Sequence, residues 1–91
     1  MEPEVTVIKR EVWFLYILEC CDGSLYTGIT KDLDRRVRTH NEGKASRYTR
    51  TRLPVRLRHF EACKNRSQAL IREAAVKSLP RDEKQKLIQT S

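Results

Sequence analysis

The side chains best suited to chemistry in this sequence are two phenols, a guanidinium, an imidazole and a carboxylate: Tyr16, Tyr26, Arg36, His40 and Glu73. Phenols and imidazole exchange protons, a guanidinium holds anionic oxygens, and a carboxylate accepts protons or ligates a hard cation. Arg36 and His40 stand four residues apart, so a helix presents them on one face. Glu73 sits among Leu70, Ile71, Ala74, Ala75 and Val76. It is either a surface acid paired with Lys77 four residues on, or a functional acid in an apolar setting. Tyr16 and Tyr26 form either a pocket lined by two phenols or an aromatic pair inside the core.

The elements that must position these groups follow from pattern. Val12 to Leu18 is short, apolar and rich in aromatic and β-branched residues, which reads as a buried strand. Leu25 to Thr30 reads as a second strand, joined to the first through the turn residues Cys21-Asp22-Gly23-Ser24. Two registers are open. A two-residue turn, Asp22-Gly23, sets Tyr16 opposite Ile29 and sends Tyr26 to the other face. A three-residue loop with Gly23 left-handed sets Tyr16 opposite Gly28 and Tyr26 opposite Leu18, so both phenols share a face and Gly28 leaves a hollow before Tyr16. Asp32 or Thr30 caps a helix to about Asn41, which Gly43 stops. Residues 44–54 read as a basic loop. Val55, Leu57 and His59 alternate with Arg56, Arg58 and Phe60, marking a third strand to about Ala62. Asn65 or Ser67 caps a helix over Gln68–Ser78, and Pro80 starts a shorter one to about Ile88. The order is β-β-α-β-α-α, with a flexible leader over 1–11, one domain over 12–88 and a tail over 89–91.

The chain has 91 residues, enough for one core. Its longest apolar run is far short of the roughly 20 residues a membrane span needs, and the N-terminus shows no secretory pattern. Residues 1–34 carry three basic and seven acidic side chains, whereas residues 35–91 carry sixteen and five. Between Arg35 and Arg58 there are nine Arg or Lys against the single acid Glu42. That patch suits a polyanion, nucleic acid first, although a basic run also serves as a solvated face. The three cysteines, Cys20, Cys21 and Cys63, have no metal-site spacing and are an odd number. Free thiols in a reducing cytoplasm are the expectation.

In combination, Phe14-Leu15-Tyr16, Tyr26-Thr27-Gly28, Arg36, His40 and Glu73 resemble the GIY-YIG nuclease superfamily, and specifically its small stand-alone, single-domain, YhbQ-like branch. Gly43-Lys44-Ala45, Tyr48-Thr49-Arg50 and the stretch Ala69–Leu79, with Lys84 and Lys86 beyond, fit the same branch. Phe14 and Leu15 depart from the first motif, Thr27 from the second, and the late Asn of many members has no counterpart nearer than Gln85.

The resemblance implies an α+β domain, a small layered three-stranded antiparallel sheet flanked by helices. It implies hydrolysis of DNA phosphodiesters with a single divalent ion, Mg²⁺ or Mn²⁺, on nicked, branched or damaged DNA in repair. Under it, Glu73 ligates the metal and Arg36 holds the phosphate. Tyr16, Tyr26 or His40 activates water, and Gly28 shapes the site. Lys31, Arg35, Lys44, Arg47, Arg50, Arg52, Arg56 and Arg58 would track the DNA backbone, with Tyr48 stacking on an unpaired base. A nucleic-acid-binding module of the same fold with little catalysis is the competing reading, and a protein adaptor using the sheet face is a third. No membrane partner is expected, and the sequence names no protein partner.

Overall fold

The structure, a computed structural model, describes residues 12–90. The expected leader falls outside the described residues. β1 (Trp13–Glu19) is the central strand, and its unbroken apolar run has a direct cause: both faces are covered. β2 (Leu25–Thr30) and β3 (Arg56–Cys63) flank it, each antiparallel to it, in the order β2-β1-β3. Among the helices, α1 spans Leu33–Asn41, α2 Arg47–Arg50, α3 Arg66–Lys77 and α4 Arg81–Gln89. The fold is therefore α+β, a three-stranded antiparallel sheet with helices, and α4 continues one residue past the expected domain boundary.

The hairpin takes the three-residue loop. Tyr16 pairs with Gly28 and Leu18 with Tyr26. Gly23 has a φ of 84°, its N–H donates to the Cys20 carbonyl, and the Cys20 N–H donates to the Ser24 carbonyl. Asp22 fixes the corner by accepting the Ser24 N–H at 3.0 Å. At the next junction Asp32 is the cap, accepting the Arg35 N–H at 3.1 Å, while Thr30 accepts the Asp32 N–H.

Each face of the sheet has its own apolar cluster. Leu15 and Ile17 pack with Val76 of α3 and Ile88 of α4. Tyr16, Leu18, Cys20 and Val55 form the other cluster, with Leu33 and Val37 of α1 against it. The side chain of Asn41 clamps α1 to the start of β3, donating to the Val55 carbonyl at 3.0 Å and accepting the Val55 N–H at 2.8 Å.

Two expectations need correction. Residues 44–54 are not a loop throughout, because Ser46 accepts the Tyr48 N–H and caps the single turn of α2. Nor does β3 alternate evenly. Ile17 pairs with His59 but Leu18 with Leu57, so Arg58 is an extra, bulged residue. A bulge resets the alternation. Leu57 therefore packs with the Tyr16 cluster, whereas His59 lies on the opposite face and bonds Glu61 at 2.7 Å.

Candidate active site

The hairpin register places both phenols on the face covered by α1. The hollow expected at Gly28 is filled, because the Tyr16 ring lies across that residue. Tyr16 and Tyr26 are close neighbours, with ring centroids 6.4 Å apart at an angle of 40°. His40 enters from the end of α1 and meets both rings edge-on, at 5.8 Å from Tyr16 and 5.2 Å from Tyr26. Tyr48, on α2, stacks on Tyr26 at 6.1 Å.

A chain of polar contacts runs through this cluster. The Tyr16 hydroxyl lies 3.0 Å from His40 Nε2, and His40 Nδ1 lies 2.8 Å from Thr49 Oγ1. These side chains are almost shut off from solvent, with Tyr16 2%, His40 1% and Thr49 0% exposed. Burial, helped by the nearby positive charge of Arg36, pushes the His40 pKa down to about 4. The imidazole is thus neutral at physiological pH and keeps one nitrogen as an acceptor. Burial likewise raises the Tyr16 pKa well above its ordinary value, with Tyr26 and Glu73 adding to the rise and Arg36 opposing it.

Those influences locate the remaining charges. Arg36, one turn before His40 on α1, and Glu73, on α3, both act electrostatically on the Tyr16 hydroxyl. The Glu73 side chain is only 20% exposed and also meets Lys77 at 3.5 Å, so the ion-pair geometry and an electrostatic influence on Tyr16 coexist. A shallow cleft of about 240 Å³ opens at Tyr26, lined by Leu25, Thr27, Tyr48, Lys77 and Lys84.

The pattern of the GIY-YIG catalytic domain matches residues 12–86. The chain belongs to the GIY-YIG catalytic-domain family. It is 55% identical over 74 residues to a UPF0213 protein of Haloquadratum walsbyi, covering 81% of this chain and 83% of that protein. A UPF0213 protein of Desulfotalea psychrophila is 48% identical over 83 residues, covering 90% and 76%. The solution structure of a UPF0213 protein from Bacillus halodurans superposes with a TM-score of 0.58 at 44% identity, covering 88% and 85%. An E. faecalis protein superposes at 0.60 and 38%, covering 89% and 86%. Membership supports a nuclease-type function and fits a small stand-alone domain.

Around this GIY-YIG site the basic residues divide into groups. Lys31, Arg35 and Arg36 line a hollow of about 390 Å³ with Trp13, Thr30, Asp32 and Thr39. The Lys31 ammonium stands 5.4 Å from the Trp13 ring centroid. Lys44, Arg47 and Arg50 are exposed on and before α2. The rest are engaged. Arg52 bonds Asp22 at 3.1 Å and the Tyr48 carbonyl at 2.7 Å, and its guanidinium covers the Tyr48 ring at 4.0 Å. Arg56 and Arg58 share Glu19, at 2.9 and 3.0 Å, on the edge strand opposite β2. The single track of arginines is thus broken by carboxylates, and Tyr48 already has Tyr26 and Arg52 as stacking partners where an unpaired base was expected.

Three residues of this region have no site role in the sequence pattern. Thr49 stands there only within Tyr48-Thr49-Arg50, and the signal for its helical turn is Ser46 at a cap position. Lys77 was read solely as the partner of Glu73, and Lys84 only as part of a family pattern. Their place on one cleft depends on how α3 and α4 meet β2.

Proposed function

We propose that this domain is a divalent-metal-dependent endonuclease that hydrolyses DNA phosphodiester bonds. The observation that carries the reading is the buried Tyr16–His40 bond, with Arg36 and Glu73 close enough to act on the same hydroxyl. A structural aromatic pair needs none of those charges.

In this reading Arg36 holds the phosphate oxygens and stabilises the extra negative charge of the transition state. Tyr16 takes the proton of the attacking water and passes its own to His40 Nε2, which is neutral and 3.0 Å away. Tyr26 orients the water from the more open side of the cluster. Lys77 and Lys84 attract the strand to the cleft. A neutral phenol whose pKa is raised gives up its proton reluctantly, and an imidazole whose pKa is lowered accepts it weakly, so binding of phosphate and cation must make the transfer easier during the reaction.

Glu73 fits the role of sole protein ligand to a cation. Among the described residues, no three His, Cys, Asp or Glu side chains gather at one point. Mg²⁺ and Mn²⁺ accept such a sparse site because they keep water and take substrate oxygens as ligands. A bound ion would polarise the phosphate and put positive charge where Glu73 now disfavours the Tyr16 phenolate.

DNA that is nicked, branched or damaged is the proposed substrate, because an unstacked base can take the place of Arg52 over the exposed Tyr48. A cytoplasmic location agrees with three free thiols, Cys20, Cys21 and Cys63. No helix among the described residues is long and apolar enough to cross a membrane.

The test is a cleavage assay over single-stranded, nicked, flap and junction DNA with Mg²⁺ or Mn²⁺, and with chelator. Metal-dependent product on at least one form supports the reading. Binding without cleavage under every condition transfers it to the competing view, a nucleic-acid-binding module. The Glu73–Lys77 contact, formed at 3.5 Å, is the feature that view explains directly.

A further inference from the structure

We propose that Thr49 is a positioning residue: it accepts the Nδ1–H of His40, fixes the imidazole tautomer, and leaves Nε2 bare to receive the Tyr16 hydroxyl proton. The catalytic consequence rests on the hydrolytic reading above, but the tautomer itself does not.

The inference comes from matching donors to acceptors in a closed space. A neutral imidazole has one N–H. In one arrangement Nδ1–H donates to Thr49 Oγ1, the Thr49 hydroxyl donates to the Ser46 carbonyl at 3.4 Å, and the Tyr16 hydroxyl donates to Nε2. Every proton then has an acceptor. In the other arrangement Thr49 donates to Nδ1 and Nε2–H donates to Tyr16. In the resting protein, before substrate and water enter, the phenolic proton is then left without a protein acceptor among the described residues, on a residue that is 2% exposed. Buried polar hydrogens are rarely left unpaired, so the first arrangement prevails.

The local fold makes this possible. Ser46 caps α2, and Thr49 is the third residue beyond it, where a hydroxyl reaches back to the carbonyl of the cap residue. The Ser46 carbonyl is in turn fixed by the Arg50 N–H at 3.1 Å. The acceptor that orients Thr49 is therefore held by the helix turn itself. Burial and Arg36 keep the imidazole uncharged, so a single tautomer is defined across the neutral pH range.

The same logic appears wherever a histidine must act through one nitrogen: the hydrogen bond at the other nitrogen decides which is free. Removing the orienting partner of a metal-ligating histidine typically costs about 10–100-fold in affinity or activity, and a loss of that order is expected at His40.

Long-range ¹H–¹⁵N correlation spectra of the full chain read the tautomer directly. His59 is the internal contrast, since its Nε2 faces the Glu61 carboxylate. The expected result is a protonated Nδ1 and a bare Nε2 at His40. Thr49→Val keeps the shape but removes the acceptor, and should shift His40 toward the Nε2–H form. Thr49→Ser should retain the parent pattern. In cleavage assays Thr49→Val should lose about 10–100-fold in kcat with DNA affinity unchanged, and Thr49→Ser should recover most of it.

Nε2–H at His40 in the parent protein overturns the proposal, as does a Thr49→Val protein with parent tautomer and parent kcat. If Thr49→Val does not fold, the parent and Thr49→Ser spectra decide the matter. If no protein cleaves DNA but the tautomer responds as described, Thr49 keeps its positioning role and the nuclease reading fails alone.

Discussion

Gly28 lies so close to Tyr16 that a methyl group at position 28 would stand 2.5 Å from the phenolic oxygen and 2.7 Å from Cζ. The strand pairing puts the two residues opposite each other, and the ring occupies the space that a side chain would need. Gly28→Ala must therefore push Tyr16 aside and stretch its bond to His40. Overpacking of this kind costs about 1–3 kcal/mol. The expected outcome is a lower melting temperature together with a fall in cleavage comparable to that of Tyr16→Phe. A parent-like melting curve and parent-like cleavage would show that the ring is not held there.

Glu73→Gln separates the metal ligand from the surface ion pair. The change preserves size and removes charge. Cleavage should fall by roughly 10²–10³ while DNA binding persists or tightens. An i, i+4 Glu73–Lys77 pair with no further role contributes at most about 0.5 kcal/mol to stability and nothing to rate. Arg36→Ala should lose cleavage too, but with weaker binding, since it holds phosphate before and during reaction. Equal cutting by folded Glu73→Gln protein excludes the carboxylate as ligand.

Acid should weaken the fold through His40. Its folded pKa, about 4, lies below that of an unfolded histidine. Between about pH 6.5 and 4 the unfolded chain takes up a proton that the folded chain refuses, so stability falls as pH drops through that window and is unaffected above it. The full effect, reached below about pH 4, is about 3 kcal/mol. Urea unfolding at pH 7 and pH 5 should show it, and His40→Gln should flatten that difference. An equal loss in both proteins would place the acid sensitivity elsewhere.

Binding to duplex DNA should weaken steeply with salt. With Arg52, Arg56 and Arg58 tied to Asp22 and Glu19, the cations that meet phosphate are chiefly Arg35, Arg36, Lys44, Arg47 and Arg50. About five neutralised phosphates give a slope of log affinity against log salt of about −4 to −5. Replacing both Arg47 and Arg50 with Ala should reduce that slope by nearly 2, whereas the same change at Arg56 and Arg58 should alter it little. A flat response in the parent protein would mean that this patch does not meet the backbone.

Local chemistry made much of the frame legible. The turn residues narrow the partner of Tyr16 to Ile29 or Gly28, because strand register is set at the turn, and the folded hairpin takes Gly28. The i, i+4 spacing is enough to put Arg36 and His40 on one face of α1. The caps narrow to Asp32 or Thr30 and to Asn65 or Ser67, because a cap acts on backbone within three residues, and Asp32 and Asn65 take the role. What sequence could not supply were relations between distant segments. Arg58 bulges because β3 must satisfy β1 across the sheet, which turns His59 away from Leu57. Arg52 is spent on Asp22, thirty residues away, and Arg56 on Glu19, thirty-seven away. Thr49 reaches His40 only after α2 folds against the end of α1, and Glu73 comes within electrostatic range of Tyr16 only through the packing of α3 on β1 and β2. Residue types and short spacings determined which groups were available. Tertiary packing decided which were brought together, because a charge or hydrogen-bond donor is committed by whichever partner the fold places within reach.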